Sequence, residues 1–282
     1  MILLLFFLCV LASTLVNFFS KQYNEKAKAY NIWLFSGMTM LGAFFFFFMQ
    51  AGFKIRFSTE ILPISLIFTL GYAATMGGSI LAYKKGPFSI TSLIHAYSIV
   101  PPVLFFLFVL GEKISPIAYV GIFLLIISIL FLYDKKEGGT FSRGWLFWVV
   151  VSFTGNSICA IMMKMQVELF GGTYKNEMML YALVILMVFF MVLGLAKARN
   201  LKKEMRDAAA FGLVRGALNG ISTLFSLILL ELIPAAISNP LIAGGGIVAS
   251  FVIAIVYYRE KLTKLQLIGY LLGTASVVLL NM

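Results

Sequence analysis

Residues 111–121 read GEKISPIAYVG and lead into an apolar run that ends near Tyr133. Residues 259–269 read REKLTKLQLIG and lead into a second apolar run that reaches the C-terminus. The offset between the two is 148 positions, about half of the 282-residue chain. At that offset Glu112-Lys113 falls on Glu260-Lys261, Gly121 on Gly269, Ser128 on Ser276, Leu93-Ile94 on Leu241-Ile242 and Ile99-Val100 on Ile247-Val248. Apolar coincidences are cheap in a chain this greasy, but charges and glycines are rare in it. A weaker offset of 143 places Lys21 on Lys164, each closing the first apolar run of its half.

The composition says what solvent the repeat lives in. The chain is 61% hydrophobic and 12% charged, with a mean hydropathy of +1.00. Soluble domains carry about 25% charged residues and about 45–50% apolar ones. One aqueous core cannot hold this much apolar surface, so the chain is expected to be an integral, multi-pass membrane protein. The formal charge of +11 sits in short turns between apolar runs, where basic residues face lipid headgroups; nucleic acid is not an expected partner. Cys9 and Cys159 each lie inside an apolar run with no CxxC or Cys/His spacing, and there is one histidine. No metal, disulfide framework or cofactor is expected, and both cysteines read as small core residues.

Apolar runs of about 20 residues without dyad alternation are spanning helices, not barrel strands. Ten are counted: 2–20, 30–50, 61–83, 88–110, 115–133, 144–166, 177–197, 208–231, 234–258 and 263–281. The first, MILLLFFLCVLASTLVNFF, lacks the basic start and small-residue cleavage site of a signal peptide and is read as a span. The fold class expected is therefore all-α, with ten transmembrane helices. The repeat divides them into an N-terminal five-helix half, 1–138, and a C-terminal one, 139–282. Five is odd, so the second half must enter the bilayer from the opposite face. Inverted repeats of this kind build many secondary transporters, with the cargo site near the midplane. In this frame Glu112-Lys113 and Glu260-Lys261 are either gating ion pairs or tight turns whose charges snorkel to the interface; the turn is favoured.

GEKISPIAYVGIFLLIISILFL, REKLTKLQLIGYLLGTASVVLL and LIPAAISNPLIAGGGIV resemble the ten-span, EamA-type branch of the drug/metabolite transporter superfamily over essentially the whole chain. The resemblance implies two inverted five-helix bundles that move a small metabolite by alternating access; cargo in that family ranges over amino acids, drugs, sugars, nucleotide sugars and organic phosphates. One departure stands out. Small four-span relatives couple to protons through an acid in their first helix, whereas here the first span has none and span six has none before Glu168.

Polar groups deep in lipid are costly and invite a functional account. Arg215, within FGLVRGALNG, is read as a cation facing the cargo or as a headgroup-level residue of a span that starts later. His95, in SLIHAYSIVPP, is read as a proton carrier or as a hydrogen-bonded packing residue; Tyr97 and Ser98 stand beside it. Asn17, Asn156, Asn219 and Asn239 either bind cargo or tie helices together, and Tyr72 is a weaker candidate. Lys21 and Lys164 either guard the cavity mouths or snorkel as helix-end lysines, and snorkelling is favoured. Pro101-Pro102 in span four and Gly244-Gly245-Gly246 in span nine are expected to interrupt their helices and to serve as hinges. No nucleophile stands beside a base, so no catalytic residue and no enzyme activity are expected.

The expected function is secondary transport of a small organic solute, on the strength of Arg215 an anionic or zwitterionic one such as an amino acid. An exporter of cationic or aromatic drugs and a non-transporting membrane receptor or scaffold are the alternatives. The expected partners are the cargo and the lipid bilayer, with the protein a monomer or homodimer in a bacterial plasma membrane. Lys and Arg number 16 in the odd-numbered connections and 4 in the even-numbered ones. That asymmetry puts the termini outside, whereas the family resemblance puts them inside.

Overall fold

The structure, a computed structural model, describes residues 2–26, 31–85, 94, 97–131, 142–256 and 264–280. In lipid no water can satisfy a backbone amide, so each apolar run must close its own hydrogen bonds as a helix. Ten α-helices result among the described residues: α1 (Ile2–Lys26), α2 (Ile32–Gln50), α3 (Leu62–Lys85), α4 (Val100–Phe108), α5 (Pro116–Phe131), α6 (Arg143–Phe170), α7 (Lys175–Lys197), α8 (Leu201–Leu232), α9 (Ala235–Val256) and α10 (Lys264–Leu280). Six of them, α1, α2, α3, α6, α7 and α8, contain stretches long and apolar enough to cross a membrane. The described parts of α4, α5 and α10 are apolar but shorter.

The helix boundaries have local causes. Asn31 caps α2 by accepting the Leu34 N–H at 3.2 Å, and Pro101-Pro102 stand in the first turn of α4, where a missing N–H is harmless. Gly171 and Gly172 turn the chain from α6 into α7 at φ +56° and +78°, backbone that glycine adopts freely. Two sequence expectations need correction. α8 starts at Leu201 rather than at 208, with a charged first turn and a half. Gly244, Gly245 and Gly246 do not interrupt α9, which runs through them and through Pro240 without a break. Gly244 serves close packing instead: a Cβ there would meet Val277 of α10 at 2.7 Å.

The chain forms two compact units, one of residues 1–69 and 166–229, the other of 70–165 and 230–282. Each unit therefore draws helices from both sequence halves. In the first, α2 lies along α7 and buries Leu34, Met40, Ala43 and Phe47 with Met178, Leu183, Leu186 and Phe190. In the second, α5 lies along α10, and α9 packs on α4, α5 and α10. Lipid is as apolar as leucine, so close packing and hydrogen bonds must hold these pairs. The Ser276 hydroxyl donates to the Gly121 carbonyl at 2.8 Å between α10 and α5.

Candidate functional site

In the first unit the polar chemistry is placed by glycines. Gly212, Gly216 and Gly220 recur every four residues on one face of α8 and meet α2 at Phe35 and Met38, at Thr39, Gly42 and Ala43, and at Phe46. This small-residue ladder lets the two backbones touch. Next to Gly216, Arg215 turns off the ladder, half-buried. Its Nε–H donates to Ser20 Oγ at 2.7 Å, and its guanidinium carbon lies 5.4 Å from the centre of the Phe35 ring. Ser20 in turn donates its proton to the Val16 carbonyl at 2.7 Å, so the hydroxyl's lone pairs are what it offers the arginine. The bond at Nε fixes the plane of the guanidinium group, and the aromatic face offsets part of its desolvation. Further along the same seam between α1 and α8, the Ser13 and Ser222 hydroxyls share a 2.5 Å hydrogen bond. Buried Cys9 contacts the Ser222 carbonyl at 3.4 Å.

The second unit holds two polar constructions. A turn of 3₁₀ helix, Tyr97–Ile99, leads into α4. Asn156 Nδ2 donates to Ser98 Oγ at 2.6 Å, and the Ser157 hydroxyl donates to the Ser98 carbonyl at 2.9 Å. Tyr97 Oη donates to the Ile126 carbonyl at 3.1 Å. Asn156 and Tyr97 thus tie the start of α4 to α6 and α5. The other construction centres on Glu112, in the turn between α4 and α5. Its Oε1 accepts the Ala235 N–H at 2.9 Å and its Oε2 the Ala236 N–H at 2.7 Å, both at the start of α9. Lys164 Nζ of α6 stands 2.9 Å from Oε1, and both side chains are more than nine-tenths buried.

The sequence had assigned these two charges differently. Lys164 does not snorkel; it is 6% exposed. Glu112 does not pair with its neighbour Lys113, which is exposed. A signal for the true pairing was present. Ile233-Pro234 offers no capping side chain to α9, so the two orphan N–H groups needed an acceptor from elsewhere.

The candidate residues are divided between the two units. Arg215, Asn17 and Asn219 belong to the first unit, and Tyr72, Tyr97, Asn156 and Asn239 to the second. Asn219 and Tyr72 are half-buried. Asn239 Nδ2, the Ser238 hydroxyl and both polar atoms of Gln166 are buried without a hydrogen-bond partner among the described residues. His95, Glu260 and Lys261 lie outside the described residues, as do the side chains of Asn17 and Lys21.

Sequence reasoning did not find a cavity of about 410 Å³ in the first unit, lined by Arg56, Phe57, Ser58, Thr59, Glu60, Thr173, Tyr174 and Glu177. Tyr181 Oη pins its wall by accepting the Ser58 N–H and donating to the Arg56 carbonyl, both at 2.8 Å. Tyr174 donates to Glu60 Oε2 at 2.8 Å. Because that bond would be lost on ionisation, Glu60 raises the phenol's pKa above its ordinary 10.0.

No family model matches the sequence, and no curated protein matches it either. A solved structure described only as the crystal structure of a protein superposes with a TM-score of 0.77, covering 98% of this chain and 94% of that one at 13% identity. At that identity the likeness is one of fold: this chain is a multi-helix, membrane-compatible bundle of an architecture already seen in a crystal.

Proposed function

We propose that this chain is a secondary transporter of a small organic solute, built from two inverted five-helix repeats and working by alternating access. The observation that carries this is which helices pair. In a two-times-five arrangement α2 corresponds to α7, α4 to α9 and α5 to α10. These are pairs that pack on each other within their units. Inverted halves related by an in-plane two-fold axis bring equivalent helices together in this way. The offset of 148 between Glu112 and Glu260 supports the same symmetry from the sequence, as does the resemblance to the drug/metabolite transporter superfamily. On this reading all ten helices cross the bilayer, and the bacterial plasma membrane is the proposed location.

Arg215 sets the cargo class. A guanidinium held mid-helix by Ser20 and Phe35 favours a carboxylate or phosphate on the cargo, with an amino acid the first choice. The test is counterflow in proteoliposomes with labelled amino acids, organic acids, nucleosides and cationic amines. Exchange of a carboxylate-bearing cargo, lost in Arg215→Ala and partly kept in Arg215→Lys, is the expected result. No exchange of any of them defeats the proposal. The cavity with Glu60, Glu177, Phe57 and Tyr174 favours a second reading, export of cationic or aromatic compounds. That reading predicts amine exchange indifferent to Arg215.

A further inference from the structure

The two ends of the first unit carry different charge. Tyr23 of α1 donates to the Asn31 carbonyl at 3.2 Å, and Asn31 donates to Gly194 and Glu204. The end of α1, the start of α2, the end of α7 and the start of α8 therefore meet at one end of the unit. At the other, Tyr181 binds the α2–α3 connection and Tyr174 binds Glu60. Among the described residues that second end sets Lys54, Arg56 and Lys175 against Glu60, Glu168 and Glu177, an even balance. The first end carries Lys197, Arg199, Lys202, Lys203 and Arg206, all of them exposed.

Folding withdraws an acid from that exposed face. Glu204 is 7% exposed; its Oε1 accepts the Arg199 and Asn200 N–H groups at 3.1 and 3.0 Å, and its Oε2 accepts Asn31 Nδ2 at 2.9 Å. Asp207, 3.5 Å from Arg206 Nε, is the acid that stays beside the bases. Length sets the depth of this face. α8 has 32 residues, about 48 Å at about 1.5 Å per residue, against about 30 Å of hydrocarbon. Its charged first turns therefore stand among the headgroups. Leu195 and Leu201, each 47% exposed, flank the bases, and Lys197 Nζ lies 4.6 Å from the centre of the Trp33 ring. Exposed leucine, tryptophan and lysine at one level mark the place where hydrocarbon gives way to headgroups. Lys202 and Arg206 are four residues apart and share a face of α8, and a guanidinium can grip a phosphate with two parallel N–H groups.

We propose that this end of the first unit, formed by Lys202 and Arg206 of α8 with Lys197, Arg199 and Lys203, binds the headgroup of an anionic phospholipid. Charge complementarity selects the occupant. A zwitterionic headgroup brings its own cation to balance its phosphate, whereas an anionic one brings the net negative charge that this face lacks. The opposite end of the unit, with its charges balanced, has no such preference. The inference goes beyond the transport reading and requires only that the protein sit in a bilayer.

The test is thermal unfolding of the purified protein in a neutral detergent with phosphatidylglycerol or phosphatidylcholine added. At saturation phosphatidylglycerol is expected to raise Tm by about 5 °C more than phosphatidylcholine. Lys202→Gln/Arg206→Gln is expected to need about thirtyfold more phosphatidylglycerol for half of that shift, at about fivefold per basic residue lost. Lys54→Gln/Arg56→Gln removes the same charge from the opposite end and is expected to keep the wild-type response. Equal shifts with the two lipids overturn the proposal, as do two double variants that respond alike. A second measurement needs no variant: the wild-type preference is expected to fade as sodium chloride rises from about 0.05 to about 0.5 M, and a preference that survives intact overturns the site. Inorganic phosphate or a polyglutamate peptide that reproduces the shift also overturns it, by assigning the face to a free anion or to an acidic protein. Counterflow reports separately on transport. Its failure with the lipid response intact removes the transporter proposal alone, and its success with no lipid response removes this one alone.

Discussion

Gly216→Ala tests the helix contact that places Arg215. The added Cβ lands on the Thr39 carbonyl oxygen and comes 2.8 Å from the Ala43 nitrogen and 2.9 Å from the Gly42 Cα. All are backbone atoms of α2, which cannot swing aside as a side-chain tip can. α8 must therefore lift, and Gly212 and Gly220 on the same face lift with it. Overpacking of this kind costs about 3 kcal/mol, against which alanine's helix propensity returns about 1 kcal/mol. Gly77→Ala is the matched control: it also lies inside a helix, but no heavy atom stands within 4 Å of the new methyl group. It is expected to gain up to about 1 kcal/mol from propensity alone. The two variants should then differ by about 3 kcal/mol, or about 6 °C in Tm in the same detergent. If Gly216→Ala melts at or above Gly77→Ala, the α2–α8 backbone contact is wrong, and with it the seat of Arg215.

Three further variants probe other joints. Asn31 is 3% exposed, caps α2, and donates Nδ2 to the Gly194 carbonyl at 2.8 Å and to Glu204 Oε2 at 2.9 Å. Losing the cap and a bond to a charged carboxylate, Asn31→Ala should cost about 3 kcal/mol in chemical unfolding; a loss no greater than that of an exposed asparagine refutes the network. Asn156→Ala removes the donor to Ser98 and should cost about 1 kcal/mol, with Ser98→Ala no worse and the double variant less than additive. Tyr174 should ionise above 10.0 because its hydroxyl donates a hydrogen bond to Glu60, which ionisation would break. Glu60→Gln is expected to bring the midpoint down, read as an ultraviolet titration difference against Tyr174→Phe. An unchanged midpoint removes the bond.

The sequence by itself determined the helices and their fitness for a lipid solvent. Stretches of about 20 apolar residues admit one structure in lipid, because the bilayer leaves each backbone amide no partner outside its own helix. Most boundaries therefore fall within a few residues of where the apolar runs change. The end of α1 at Lys26 and the start of α8 at Leu201 are exceptions, since their charged turns are helical without being apolar. Tertiary structure alone decided which polar groups meet. Glu112 pairs with Lys164, 52 positions along the chain (164 less 112), and not with the lysine beside it. The glycines of α8 form the contact with α2, while the three in α9 break nothing. The physical reason is degeneracy. When nearly every surface is apolar, most helix faces pack almost equally well, and periodicity carries little information about neighbours. The few charges, caps and close backbone approaches select the partners, and their geometry exists only once the helices have assembled.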